Sequence, residues 1–378
     1  MTDAPTECLP LYFGIEVTRQ CNLRCPHCFT RSSDDNPPGP DTASLQQLLG
    51  ELVHAGVRRF AFSGGEPLLR RDLEALIEHG RELGAEGFGI VTNGYYAERR
   101  RAVALARAGL TVVQVSLDGV DALDHCAVRR CGRQDYYRAL SAIRAFREAG
   151  ITVDVACIIA PRNVERAPEM ALLCQSLGVR ALRYCSFVPT GRAASAAMRE
   201  RFRVPPEQMD QFVEFLQELD GLPRPPVRLI VDHGIGPWRK PGRFHCVAGR
   251  EVAYASCEGD LYPCPSLIHD AFRVGNVFET PVEQLLGAEE MSRVRSIPRN
   301  QLQGMCHSCP ATECTGGCRG AAYAAAGDVL AEPSYCFFAH DATRRPSGDT
   351  AGAPAGTPGQ CEPASGATSQ GQRRGSTR

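Results

Sequence analysis

From residue 11 to about residue 220 the chain alternates short β-rich runs with amphipathic helical stretches, and this alternation restricts the fold more than any other feature. Six apolar runs read as strands, over residues 11–18, 57–62, 87–92, 111–117, 151–159 and 179–187. A helical pattern follows each. Leu45, Leu48, Leu49, Leu52 and Val53 share one helical face, as do Leu73, Leu76, Ile77 and Leu83, and then Tyr136, Leu140, Ile143 and Phe146. Strands joined by helical crossovers run parallel, so an α/β fold is expected. Six units are too few for a closed eight-stranded barrel and suit an open, partial (β/α)6 barrel, with its chemistry beyond the carboxyl ends of the strands.

The polar turns fall at those ends. Cys21-Asn22-Leu23-Arg24-Cys25-Pro26-His27-Cys28 follows the first run, Ser63-Gly64-Gly65-Glu66-Pro67 the second, Thr92-Asn93-Gly94 the third, and Ser116-Leu117-Asp118-Gly119 closes the fourth. Cys21, Cys25 and Cys28 supply three thiolates, one fewer than a closed tetrahedral site needs. Donor type alone leaves two readings open: a zinc knuckle completed by His27, or an iron-sulfur cube with one iron left free for a cofactor. Gly64 and Gly65 let the backbone approach a ligand closely, and Glu66 offers a carboxylate to an ammonium group. Asn93, Ser116 and Asp118 are short groups able to hydrogen-bond a ribose or a carboxylate, which Arg129 or Arg130 has the fork to clamp. Asp154 in the fifth run is either an inward-facing proton acceptor or a solvated strand end, and no general base is assigned. Thr190-Gly191-Arg192, after the sixth run, is either a substrate or cofactor contact or an ordinary turn.

The 378 residues suffice for one large domain and a smaller one. Lys and Arg total 42 against 43 Asp and Glu, and a net charge of -1 gives no electrostatic reason to bind nucleic acid or an anionic membrane. A peptide or small-molecule substrate is more natural. The first ten residues lack the basic and apolar regions of an export signal, and no uncharged apolar run is long enough to span a bilayer. A cytoplasmic protein is therefore expected, and its 18 cysteines point to metal rather than to disulfides.

After a helix over 206–219, a proline-rich stretch makes 221–239 a linker. Residues 240–342 form a second unit, poor in long apolar runs, that holds Cys246, Cys257, Cys264, Cys306, Cys309, Cys314, Cys318 and Cys336, so metal is expected to organise it. Residues 1–10 are a short extension, and 343–378, with Cys361, a disordered tail. Cys8, Cys157, Cys174 and Cys185 read as small packing residues. Cys126 and Cys131, near the fourth turn, are candidates to donate hydrogen or touch substrate.

Cys21, Cys25 and Cys28, taken with residues 63–67 and 116–119, resemble the radical S-adenosylmethionine (SAM) enzymes over roughly residues 11–220. The resemblance implies a 4Fe-4S cluster on the three cysteines, whose open iron chelates the methionyl amine and carboxylate of SAM. It also implies reductive cleavage of SAM to a 5'-deoxyadenosyl radical that abstracts a substrate hydrogen.

The series Cys246, Gly259, Cys264, Cys306-x2-Cys309-x4-Cys314-x3-Cys318 and Cys336 resembles the SPASM extension of such enzymes. By that resemblance there are two auxiliary 4Fe-4S clusters, three clusters in all. Cys246, Cys264 and Cys318 would hold one, and Cys306, Cys309, Cys314 and Cys336 the other. Cys257 is a candidate fourth ligand of the first auxiliary cluster, the alternative being an iron open to substrate. The interval of four residues between Cys309 and Cys314 departs from the usual five.

The run from Cys264 to Val277 resembles the mycofactocin maturases, so oxidative modification of a ribosomally made precursor peptide is expected. A separate leader-binding protein and a flavodoxin or ferredoxin-type reductant would then be partners. One rival is the oxidation, epimerisation or decarboxylation of a small natural product such as an aminoglycoside or nucleoside. Another is a non-catalytic iron-sulfur electron carrier or redox sensor, against which the turns at 63–67 and 116–119 argue.

Overall fold

The structure, a computed structural model, describes residues 12–232, 245–295, 297–311, 314–333 and 335–336. The expected extension 1–10, the tail 343–378 and the part of the linker over 233–239 lie outside the described residues.

Ten strands form one sheet. They are β1 (Tyr12–Thr18), β2 (Arg59–Gly64), β3 (Gly87–Thr92), β4 (Leu110–Ser116), β5 (Thr152–Ile158), β6 (Ala181–Cys185), β7 (Arg228–Val231), β8 (Val252–Ala255), β9 (Asp260–Tyr262) and β10 (Gly275–Asn276). Their order is β10-β9-β8-β1-β2-β3-β4-β5-β6-β7, so the sheet stays open, with β10 and β7 at its edges. Every pairing from β8 through β1 to β7 is parallel. The crossovers carry α1 (Thr42–His54), α2 (Leu73–Glu82), α3 (Arg99–Ala108), α4 (Ala122–Arg129), α5 (Arg133–Glu148), α6 (Ala167–Leu177), α7 (Ala196–Phe202) and α8 (Pro206–Asp220). This is the expected partial barrel.

Alternation along each strand explains the packing. Phe13, Ile15 and Val17 of β1, Phe60 and Phe62 of β2, Phe88 and Ile90 of β3, and Val113 and Val115 of β4 bury one face beneath Leu45, Leu49, Leu52, Leu76, Ile77 and Phe146 of the helices. Each such side chain removed from water contributes about 1.5–3 kcal/mol. Phe60 and Phe88 stack at 5.3 Å between ring centroids across the β2–β3 pair. Helix starts follow local chemistry: Asp41 caps α1 by accepting from the Ser44 N–H at 2.8 Å, and Asp121 caps α4 by accepting from Leu123 and Asp124.

Two departures from the sequence reading concern the junction of the units. The segment read as a linker contains β7, which pairs with β6 in register Ala181↔Arg228 to Tyr184↔Val231. Val227 and Leu229 are buried there, and this apolar alternation after the prolines drives the strand. The cysteine-rich unit is also joined directly to the barrel sheet. Its β8 lies parallel to β1, with Tyr12 opposite Val252 and Ile15 opposite Ala255. Beyond β8 the separate apolar cluster is small, with Ala248, Tyr262, Leu267, Phe272 and Val294 as its buried members.

Candidate active site

The loop after β1 presents Cys21, Cys25 and Cys28. It is closed at its ends by the Cys21 N–H donating to the Ser33 carbonyl at 3.0 Å, and it is braced from two sides. On one side Gly65 N–H donates to the Thr18 carbonyl at 2.7 Å and Glu66 N–H to the Gln20 carbonyl at 2.8 Å. A Cβ on Gly65 would lie 2.0 Å from the Gln20 carbonyl oxygen, and one on Gly64, at φ +131°, 2.1 Å from that of Thr18. These glycines thus admit the chain's own cysteine loop. On the other side Arg192 donates to the carbonyls of Cys25 at 2.7 Å and Ser32 at 2.6 Å, and its own N–H bonds the Cys28 carbonyl at 2.9 Å. The turn at 190–192 therefore serves the cysteine loop.

Burial pushes the Cys21 thiol up to about 12. Burial raises Cys25 as well, with the neighbouring Arg129 opposing it. Thiols so placed ionise only with a compensating cation, as a metal group supplies. Among the described residues no three His, Cys, Asp or Glu side chains close on a single ion, although the three thiols lie near enough to influence one another. A set of three thiolates fits a 4Fe-4S cluster that keeps one iron open. The ring of His27, the alternative fourth ligand, meets Phe202 edge-on at 5.6 Å, and burial pushes its pKa down to about 4.

The strand-end residues ring this loop. Glu66 is fully buried and accepts from Leu68 N–H at 3.0 Å, the Thr92 hydroxyl at 2.7 Å and Asn93 N–H at 2.8 Å, tying the end of β2 to that of β3. Burial raises its pKa against those three donors. Asn93 Nδ2 reaches Asn22 Oδ1 at 2.9 Å and approaches Cys21 Sγ at 3.8 Å. Ser116 ends β4, half-buried, opposite Ala156.

Asp118 and Arg129 are paired, Nε to Oδ2 at 2.5 Å, and Arg129 Nη1 lies 3.8 Å from Cys25 Sγ. The second oxygen of Asp118 accepts from Ile158 N–H at 2.7 Å. Burial works against this carboxylate, but Arg129 and the Ile158 N–H hold its pKa below the ordinary value. A cationic guanidinium, fixed by a buried carboxylate, therefore faces a sulfur of the triad. Arg130, the alternative clamp, adopts the left-handed conformation at the end of α4 with φ +53° and is exposed.

Cys131 packs beside Cys21, Leu23 and Cys25, and its thiol lies 3.4 Å from that of Cys126. Cys157 and Cys174 are buried packing residues, as expected. Asp154 is committed to Arg180 through a two-pronged ion pair at 2.9 and 2.5 Å, so it is not a free proton acceptor.

In the second unit Cys264, Cys318 and Cys246 are mutual electrostatic neighbours. Cys306 has Cys336, Cys314 and Cys309 among its electrostatic neighbours. Burial raises Cys318 and Cys306, each to about 11. Cys257 is placed elsewhere. Its neighbours are Glu16, Glu258 and Arg19, and a Cβ on Gly39 would lie 2.5 Å from its sulfur. The structure thus does not bring it to Cys246, Cys264 and Cys318, because the β8–β9 hairpin carries it to the end of β1, where its N–H donates to Glu16 at 3.1 Å.

Two arginines escaped the sequence reading. Arg299 donates to the carbonyls of Cys309, Ala311 and Cys314 and so braces the loop between those cysteines. Arg319, next to Cys318, is buried to 1% exposure. Adjacency to a cysteine was the sole local signal of the second.

Residues 15–174 match the Radical SAM superfamily, and residues 246–310 match SPASM, an iron-sulfur cluster-binding domain. The AdoMet-dependent heme synthase of Methanosarcina barkeri is 27% identical over 361 residues, spanning 89% of this chain and 98% of the relative. The mycofactocin maturase MftC of Mycobacterium tuberculosis is 30% identical over 323 residues, spanning 83% of this chain and 79% of the relative. Streptococcus suis SuiB bound to S-adenosylmethionine has a TM-score of 0.68 at 16% identity, over 86% of this chain and 77% of SuiB, a likeness of fold. The barrel that carries the β1 cysteine loop and the cysteine-rich extension each match a family of their own: this chain belongs to the radical SAM superfamily and is an enzyme of the branch that carries a SPASM iron-sulfur domain.

Proposed function

We propose that the chain oxidatively modifies a precursor peptide, using three 4Fe-4S clusters and SAM. The observation that carries this reading is the maturase relative, 30% identical over 83% of the chain, beside a loop after β1 that holds Cys21, Cys25 and Cys28 near one another. Cys21, Cys25 and Cys28 would hold the cluster that binds SAM; Cys246, Cys264 and Cys318 one auxiliary cluster; and Cys306, Cys309, Cys314 and Cys336 the other. Bound together, the first cluster and SAM would supply the reductive chemistry for abstracting one substrate hydrogen, and auxiliary clusters would supply an acceptor for the substrate's second electron.

The protein's own task is placement. Gly65 and Arg192 set the cysteine loop against the barrel rim, and Glu66 locks the β2 and β3 ends on which Asn93 stands. The guanidinium of Arg129, held by Asp118, places positive charge beside Cys25, where electron density gathers on reduction. The half-buried Ser116 and Asn93 remain as groups at the rim for the polar parts of SAM.

The peptide substrate is supported by the maturase relative at 30% identity and by the run from Cys264 to Val277. A heme precursor is the second reading, favoured by the heme synthase relative whose length this chain nearly spans. A flavodoxin or ferredoxin-type protein would supply the reducing electron.

Anaerobic protein given SAM and dithionite should release 5'-deoxyadenosine, and the Cys21→Ala, Cys25→Ala, Cys28→Ala triple variant should not. Release matched by a mass change in a co-encoded short peptide supports the first substrate. Consumption of a carboxylated tetrapyrrole with the peptide unaltered moves the assignment to the second. An absence of 5'-deoxyadenosine from iron-replete wild-type protein sinks both.

A further inference from the structure

Arg319 opens the helix Arg319–Ala326, yet its side chain is among the most deeply buried in the molecule. Its Nη1 donates to the carbonyls of Val329 at 2.7 Å and Ala331 at 3.0 Å. Nε and Nη2 are buried and have no hydrogen-bond partner among the described residues. Those two nitrogens need acceptors, because a buried guanidinium is tolerated only when paired and hydrogen-bonded.

The titratable neighbours of the guanidinium include Cys306, Cys246, Cys318 and Cys314, so sulfurs are the acceptors at hand. Space for it is built in: Gly316 takes φ +86°, and a Cβ there would lie 2.7 Å from Nη2. A role confined to anchoring residues 329–331 accounts for Nη1 and leaves Nε and Nη2 unanswered.

We infer that Arg319 is a positioning residue shared by the two auxiliary clusters, its Nε and Nη2 donating to cluster and cysteine sulfurs and its charge raising the clusters' reduction potentials. Hydrogen bonds to the sulfurs and local charge are two of the factors that set such potentials. A fixed cation favours the reduced, more negative cluster and so draws the substrate's second electron into the extension. This inference rests on the auxiliary clusters proposed above.

The test uses the full chain with Cys21, Cys25 and Cys28 replaced by Ala, so that only auxiliary clusters contribute. In an anaerobic redox titration followed by electron paramagnetic resonance, Arg319→Gln should lower the reduction equilibrium constant about tenfold, a fall of roughly 59 mV for a one-electron couple. Arg319→Lys, which keeps the charge and loses the fork, should fall by less. With Arg319 intact, ¹⁵N-arginine labelling should alter the electron spin echo modulation of the reduced clusters, a readout that needs no Arg319 variant to fold. Clusters present but with unmoved potentials, or with no arginine nitrogen coupling, overturn the inference and leave the auxiliary clusters standing. Absence of cluster signals from this background removes both.

Discussion

Arg192 Nη1 donates to the carbonyl oxygen of Cys25 at 2.7 Å, across 167 residues of sequence. With its second bond to Ser32 it fixes the cysteine loop from the far end of β6, so the triad's geometry depends on the last strand-helix unit as much as on the first.

Arg192→Ala removes two bonds from a charged donor and is expected to cost about 3 kcal/mol, read as a lower urea midpoint at constant slope. The first cluster should be lost preferentially, with iron in the extension retained. Lysine should rescue poorly because it lacks the fork that spans the two carbonyls. An unchanged midpoint and full iron content would show that the brace is dispensable.

Gly65→Ala forces a Cβ to within 2.0 Å of the Gln20 carbonyl, a backbone atom that cannot swing aside. The loop must move, and 5'-deoxyadenosine formation should fall at least tenfold while the circular dichroism of the barrel persists. Gly87→Ala is the control, since its nearest neighbour would lie at an ordinary 3.6 Å. Equal activity of the two variants would contradict the proposed close approach.

Asp118 sets a pH dependence. Its folded pKa is depressed, burial opposing the charge and Arg129 favouring it, so its contribution is complete above the unfolded value of about 3.9 and is lost as pH falls through the folded value. Asp118→Asn leaves Arg129 buried and unpaired, a loss of about 3–5 kcal/mol. In metal-free preparations the gap in urea midpoint between wild type and variant should be constant from about pH 5 to 7 and should close below about pH 4. A gap that widens with acid would reverse the assigned sign.

Cys257→Ser should leave the iron content of anaerobically prepared protein unchanged, because that sulfur sits against Gly39 and the Glu16–Arg19 pair. Cys264→Ser should lose iron from the first auxiliary site, about four irons if the whole cluster departs. Equal losses in the two variants would return Cys257 to the ligand set.

Parts of the site were legible because their signal is local. The spacing of Cys21, Cys25 and Cys28, the glycine pair at 64–65 and the polar residues at strand ends all follow from topology once six strands are recognised. Strand edges differ by a residue or two; β2, for example, spans Arg59–Gly64 where 57–62 was expected. Glu66 and Asp118 stand at strand ends, but their partners Thr92, Ile158 and Arg129 were not assigned to them, since the bonds to Thr92 and Ile158 join different strand-helix units and the Arg129 bond depends on how α4 folds back.

The sequence by itself determined the parallel α/β barrel and the inventory of thiols, because periodicity, turn chemistry and ligand spacing act over a few residues and survive without the fold. The tertiary structure decided that 228–231 is a strand, that β8 joins the extension to β1, that Cys257 stands apart, and that Arg192 and Arg299 brace cysteine-bearing loops through their carbonyls. An arginine's role depends on which carbonyls and sulfurs the folded chain brings within about 3–4 Å of its fork, and no local pattern encodes that when the partners lie in other units.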